Sequence, residues 1–331
     1  MKRSILCAFA VLAIGRGQGG ADRSLPRQAP PKVLWQKPPA ASDQDWTCTF
    51  AGCDKAPVPP FRFIKADKGG TTAKVTIKDG KGRTYSVKFG GKVITECFGS
   101  RFLPAAGYTV EPSYLVGPGK IEGIPRLHLV TDFVKRDGRF ERARFQLRDS
   151  RELTFLPNHA WSLADNPFRG SSQLAGLRVV LMLLSNWDIK DARDGQMASN
   201  TGVFRSPDPS RPELLYSFFD WGSTLGRWGG LMGRTRADCS GFFYQTPDFI
   251  TGVDHGVVKW GYKSKRTKDV TKGITVADLR WLAPYLDAIT PAQMRIGLKA
   301  SGATDRQAAC WEGALSGRIH QIDTVARTGK R

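Results

Sequence analysis

The chain has 331 residues, 40% of them hydrophobic and including nine Trp and 18 Phe, which excludes a chain too poor in apolar residues to form a core. Lys and Arg outnumber Asp and Glu 50 to 30, giving a formal charge of +20. The cations are spread along the whole length, with no RNA-binding signature, zinc-finger spacing or basic heptad helix. No dedicated nucleic-acid binding is therefore expected, and the charge reads as affinity for anions in general. At roughly 100–200 residues per domain, the length fits one large domain or two smaller ones.

The chain opens with Lys2 and Arg3, a short apolar run from Ile5 to Gly15, and small residues ending at Gly19-Gly20-Ala21. That order predicts a signal peptide over 1–21 and an exported mature protein; a buried N-terminal helix is the competing reading. Removing 1–21 takes away Lys2, Arg3 and Arg16 and no acid, leaving +17. No later stretch is long enough to span a bilayer, so no transmembrane segment is expected in the mature chain. Six Cys are present. Cys48 and Cys53 lie close enough to pair in an oxidising compartment, and their spacing does not suit zinc. Cys97, Cys239 and Cys310 read as isolated core residues. If Cys7 leaves with the leader, the odd remainder implies at least one free thiol.

Residues 22–60 are rich in Pro, Ala and Gln and predict an extended, poorly packed lead-in. From Phe61 the pattern changes. Strands are predicted at Phe61–Ile64, Lys74–Lys78 and Thr84–Phe89, with turns at Lys68-Gly69-Gly70 and Asp79-Gly80-Lys81-Gly82. A helix follows over 93–106, with Phe98 and Phe102 one turn apart. Two more strands are expected over 109–116 and 127–134. The second half reads as mainly helical. Ser171 or Ser172 caps a helix to about Ser185 whose Leu174, Leu177, Leu181 and Leu184 share a face. Val180, Met182 and Leu183 fill its other faces, which predicts burial nearly all round. A strand is expected over 213–219. Three tail helices announce themselves by Thr275 with Asp278, Thr290 with Pro291 and Gln293, and Thr304 with Gln307.

Phosphoryl transfer needs few parts, and each does one job. A glycine turn lies near the phosphates, a strand lysine holds them, a helix glutamate orients the lysine, and two acids serve the nucleophile and the metal. Candidates occur in that order. Gly69 and Gly70 lie between the first two strands, Lys88 on the third, and Glu96 on the following helix. Asp188 follows the buried helix in Asn-Trp-Asp-Ile-Lys-Asp, and Asp220 follows a strand in Phe-Phe-Asp-Trp-Gly.

On these residues, roughly 61–325 resembles the kinase-like superfamily, especially the branch of phosphatidylinositol kinases, HipA-type kinases and CotH-like secreted kinases. Asp188-Ile189-Lys190 resembles the Asp-Leu-Lys of a kinase catalytic loop, Asp220-Trp221-Gly222 the metal-binding Asp-Phe-Gly, and Val87-Lys88 the strand carrying the phosphate lysine. The resemblance implies an α+β fold of two lobes: a small antiparallel sheet with one helix over 61–134, and a mainly helical lobe over 135–325. It also implies ATP and magnesium as cofactors. Lys88 would hold the α- and β-phosphates with Glu96 as its partner. Asp188 would be the base, Lys190 would face the transferred phosphate, and Asp220 would bind the metal.

The chain departs from the pattern in three places. Arg193 stands five positions after Asp188, where kinases usually place a metal-binding Asn; Asp191, Asp194 or Asn200 would have to serve instead. Asp220 lies 32 positions after Asp188, a spacing that fits the phosphatidylinositol-kinase branch better. The glycine turn lacks a full Gly-x-Gly-x-x-Gly. The expected function is an exported kinase-like phosphotransferase acting on an unknown acceptor, protein or lipid. The alternatives are an inactive pseudokinase-like module that binds nucleotide or another anion without turnover, and a basic envelope binding protein. His128, His159, His255 and His320 lack metal spacing, and no Ser-His-Asp arrangement is evident. The aromatic segments around Trp228, Tyr244 and Trp260 read as core packing, with a ligand platform as the alternative.

Overall fold

The computed structural model describes residues 29–66, 74–148, 153–189, 200–206, 208, 210, 212–229, 233–265 and 267–331. Residues 31–331 form one compact α+β unit. Its first element, β1 (Lys32–Val33), belongs to a sheet completed much later in the chain. The following strands build a separate seven-stranded sheet: β2 (Phe61–Ala66), β3 (Lys74–Lys78), β4 (Thr84–Lys88), β5 (Ser113–Val116), β6 (Gly119–Glu122), β7 (Arg139–Phe140) and β8 (Ala143–Leu147). Their spatial order is β5-β8-β4-β3-β2-β6-β7.

The β3–β4 hairpin forms where the turn chemistry predicts it. Asp79 is buried, and its carboxylate accepts from Lys81 N (2.9 Å), Arg83 N (2.8 Å) and Arg83 Nε (3.0 Å). Gly82 sits at φ +76°, where a side chain would be strained. Alternation then sends Val75, Ile77, Tyr85 and Val87, all fully buried, into an apolar cluster with Phe61, Phe140 and Phe145. Two expectations are corrected here. The sheet is mixed rather than antiparallel, because β2 pairs with β6 in parallel. It also runs past residue 134, since β8 lies between β4 and β5, so a boundary at 134 would cut the sheet.

Helix α1 (Val93–Ala105) packs beside β5 and β8 and sends Phe98 and Phe102 into a second, larger apolar cluster. That cluster surrounds α2 (Ser172–Leu183), which is capped by Ser171 and buried on nearly all sides, as its composition predicts. β1 is joined by β9 (Thr154–Leu156), β10 (Thr201–Arg205) and β11 (Leu214–Phe218) in the order β1-β11-β10-β9. Then come α3 (Cys239–Gln245), the β12 (Ile250–Asp254) and β13 (Val257–Trp260) hairpin, and α4 (Thr267–Thr271). Last are α5 (Val276–Asp287), α6 (Pro291–Ala300) and α7 (Asp305–Thr328). All three tail helices carry the expected capping boxes. No described helix is long and apolar enough to cross a membrane.

Three further expectations are corrected. The described part of 22–60 is packed rather than loose. β1 pairs with β11, Leu34 and Trp46 are buried, and Trp35 donates to Ala106 O (2.9 Å) while its ring lies 4.9 Å from Trp281 and 4.8 Å from Tyr285. Each large apolar side chain buried this way contributes about 1.5–3 kcal/mol, which outweighs the local disorder that proline-rich composition suggests. The stretch 127–134 is a 3-10 turn at His128–Val130, not a strand. Cys239 and Cys310 are not isolated: they form a disulfide, as do Cys48 and Cys53. Cys97 is the free, buried cysteine among the described residues, and burial pushes its thiol up to about 12.

Candidate active site

Lys88 ends β4, and its sheet partner is Arg144 on β8. Two cations directly opposite each other repel. One carboxylate on α1 answers both: Glu96 Oε1 accepts from Lys88 Nζ at 2.7 Å, and Glu96 Oε2 lies 2.9 Å from Arg144 Nε. Side-chain exposures of 19% for Lys88, 5% for Glu96 and 1% for Arg144 make this a shielded triad. Burial lowers the Lys88 pKa; Glu96 opposes that, Arg144 adds to it and Asp220 opposes it, with a net result below the ordinary lysine value.

Asp220 approaches from the loop after β11. Its Oδ2 lies 3.6 Å from the Nζ of Lys92, the residue that caps α1, and its Oδ1 accepts from Gly222 N at 3.1 Å. Trp221 anchors the loop. Its indole donates to Phe218 O (2.7 Å), and its side chain sits against Gly99 of α1, where an added Cβ would come within 3.0 Å. Gly222 allows the close approach of loop to triad, because a Cβ there would stand 2.4 Å from Lys92 Cδ and 2.8 Å from Glu96 Oε1.

Burial raises the Asp220 pKa, but Lys92, Lys88, the Gly222 N–H and Arg144 outweigh it and hold the carboxyl below its ordinary 3.8. A carboxylate lowered in the fold contributes stability that is complete above 3.8 and lost as pH falls through the lower folded value. The stability advantage of the natural chain over Asp220→Asn should therefore shrink as urea unfolding is repeated at successively lower pH below 3.8. An advantage unchanged down to about pH 2 would mean that Asp220 is not ion-paired.

Asp188 lies on a segment paired with the Asp220 loop through backbone bonds from Leu225 N to Leu184 O (2.9 Å) and from Trp187 N to Ser223 O (3.1 Å). The fully buried Asn186 ties the two acids' segments together: its Oδ1 accepts from Asp188 N (3.1 Å), and its Nδ2 donates to Asp220 O (3.0 Å). Tyr262 OH donates to Asn186 O and fixes it from behind. Asn200, expected as a metal ligand, is buried, and its Nδ2 donates to Asp188 O (2.8 Å). Its amide thus braces the Asp188 backbone. Gly69, Gly70, Lys190, Asp191, Arg193 and Asp194 lie outside the described residues.

The structure thus brings together Lys88, Glu96 and Asp220, and links Asp188 and Asn200 to them through Asn186. Sequence reasoning missed Lys92, Arg144 and Asn186. Lys92 had a local signal, standing four residues before Glu96 at the helix start. Arg144 had none, because only sheet pairing brings it beside Lys88.

No family model, curated protein or solved structure matches the chain.

Proposed function

We propose that this protein is an exported, kinase-like phosphotransferase that uses a magnesium nucleotide to phosphorylate an acceptor. The observation that carries this reading is the Lys88–Glu96 ion pair, 2.7 Å long, with Gly222 of the Asp220 loop closed against it. Kinase chemistry needs that pair and a metal-binding acid in one place. Export is supported by the leader-like N-terminus and by two disulfides, which persist in oxidising compartments.

The residues present fit the cofactor. Asp220 offers an ionised carboxylate, and hard oxygen donors of this kind suit magnesium. Lys88, Lys92 and Arg144 outnumber Glu96 and Asp220 in the cluster, leaving an excess positive charge for phosphate. Bound nucleotide would supply the transferable phosphoryl group. Lys88 and Lys92 would hold its oxygens, Glu96 orients Lys88, and Asp188 would take the proton of the acceptor hydroxyl as the nucleoside diphosphate leaves. Asp220 would hold the metal.

Lys92 favours a second reading. A cation 3.6 Å from Asp220 competes with a metal, and the sequence has Arg193 five positions after Asp188, where kinases usually place Asn. Nucleotide binding without turnover would suit both features. Phosphate release or transfer from γ-labelled ATP separates the readings. On the first, Asp188→Ala slows it by about 100-fold or more with nucleotide affinity retained. Equal rates in both proteins would remove Asp188 from the chemistry. Binding with no transfer by either would favour the second reading.

A further inference from the structure

Beside this site lies a second group of cations that the proposed reaction has not used. The segment from Arg234 to Arg236 wraps around the indole of Trp187, the residue before Asp188. Trp187 Nε1 donates to Thr235 O (2.9 Å), and the guanidinium carbons of Arg234 and Arg236 lie 5.3 and 5.5 Å from its ring centre. Trp228 packs on the same indole, ring centres 5.8 Å apart, and opens onto a cavity of about 670 Å³ with Arg227, Tyr244, Gln245 and Lys263 in its wall. The carboxylate in that wall, Asp238, is already engaged in capping α3 through Gly241 N (3.0 Å).

Arg234 is exposed and Arg236 half-buried, and neither has an ion-pair partner among the described residues; the same holds for Arg227 and Lys263. The side chain of Arg236 also runs past Gly91, its Cδ 3.7 Å from where a Cβ would stand. Gly91 adjoins Lys92, which holds Asp220. Arg236 therefore lies between Trp187, the residue before Asp188, and Gly91, the residue before Lys92, while Arg234 meets the site only through Trp187.

We propose that Arg234 and Arg236 form an anion subsite that anchors an acceptor through a phosphoryl group it already carries. Both guanidiniums lie within cation–π range of one indole, a contact that leaves the charge of each in place. A single carboxylate can take one bidentate guanidinium, whereas a phosphoryl dianion has the charge and the oxygens for two. The neighbouring cavity then takes the rest of the acceptor, against Trp228 and Tyr244. The subsite adjoins Trp187, the residue before the proposed base Asp188. This assignment of the acceptor rests on the phosphotransferase reading; the anion subsite itself does not.

Calorimetric titration with inorganic pyrophosphate tests it, at about 0.15 M ionic strength to screen the general surface charge. Lys88→Met serves as the background, which removes the lysine of the triad; Lys92 and Arg144 remain and are common to every variant compared. Binding should weaken by about tenfold or more on adding Arg234→Gln and Arg236→Gln, and by less on adding the lysine equivalents, which keep charge but lose the planar fork. The exposed pair Arg126→Gln with Arg136→Gln should leave it unchanged. Unliganded melting midpoints verify that each variant folds. Displacement by glycerol phosphate would identify a soluble phosphate ester as the ligand. Displacement only by phosphatidic acid in phosphatidylcholine vesicles would identify a lipid headgroup. Equal loss in the Arg126/Arg136 control, or displacement by acetate as effective as by phosphate, would overturn the subsite. Magnesium-ATP binding by the natural chain is measured separately. Its absence with the subsite intact removes the kinase reading alone, and its presence with the subsite absent removes this inference alone.

Discussion

Replacing Glu96 with alanine is expected to destabilise the fold by about 3–5 kcal/mol, the range for removing one member of a buried ion pair. Glu96 is the carboxylate shared by Lys88 and Arg144, at 2.7 and 2.9 Å. Without it two cations face each other across β4 and β8, one of them 1% exposed, and among the described residues only Asp220, already paired with Lys92, is left to offset the cost of burial. Arg144 Nε and Nη2 both lack a hydrogen-bond partner among the described residues, so the 2.9 Å contact with Glu96 holds Arg144 by charge rather than by an aligned hydrogen bond. The penalty should fall when Arg144→Met is added to Glu96→Ala, because one uncompensated charge leaves with it. Urea denaturation of the single and double variants reads both effects. A loss below about 1 kcal/mol for Glu96→Ala, as exposed pairs give, would mean that the triad is not shielded from water.

The second large effect should come from the Cys239–Cys310 disulfide. Its sequence separation of 71 makes its loop-closure contribution about 4 kcal/mol, against about 2 kcal/mol for the separation of 5 at Cys48–Cys53. Cys239→Ala with Cys310→Ala should therefore lower the melting midpoint by about 6 °C, and the Cys48/Cys53 double variant by about half as much. The long bridge also bears on the site. It joins α3 to α7, where Arg318 donates to Leu183 O (2.8 Å), Ser185 Oγ (2.9 Å) and Phe242 O (2.8 Å). Those bonds hold the end of α2, from which the Asn186-Trp187-Asp188 segment departs. The same midpoint with and without the two cysteines, together with two additional titratable thiols in the natural protein, would show that the bridge is not formed.

What could be read from the sequence was local. The capping boxes at Thr275, Thr290 and Thr304 depend on side chains three residues apart, and the Asp79–Gly82 turn on four consecutive residues. Lys88 and Glu96 are eight positions apart on adjoining elements, so their ion pair was legible too. The rest depends on partners far along the chain. Arg144 meets Lys88 only because β8 inserts between β4 and β5. Cys239 finds Cys310 only because α3 packs on α7. In 22–60, the prolines concealed what Trp35 and Trp46 do once a surface is present to receive them. In 127–134, five of eight residues are apolar, enough to suggest a strand, but among the described residues one isolated bridge, Val134 with Phe140, is what forms.

The proposed function stands or falls on whether Lys88, Glu96 and Asp220 form a nucleotide site. Thermal unfolding with and without magnesium-ATP, on the natural chain and on Asp220→Ala, addresses this most directly. At a hundredfold excess over the dissociation constant, bound nucleotide stabilises by about 2.7 kcal/mol, a rise in midpoint of about 4 °C for a unit of this size. The natural chain should show that rise and Asp220→Ala should not. An unchanged midpoint in both, or the same rise in both, would contradict a nucleotide site built on Asp220.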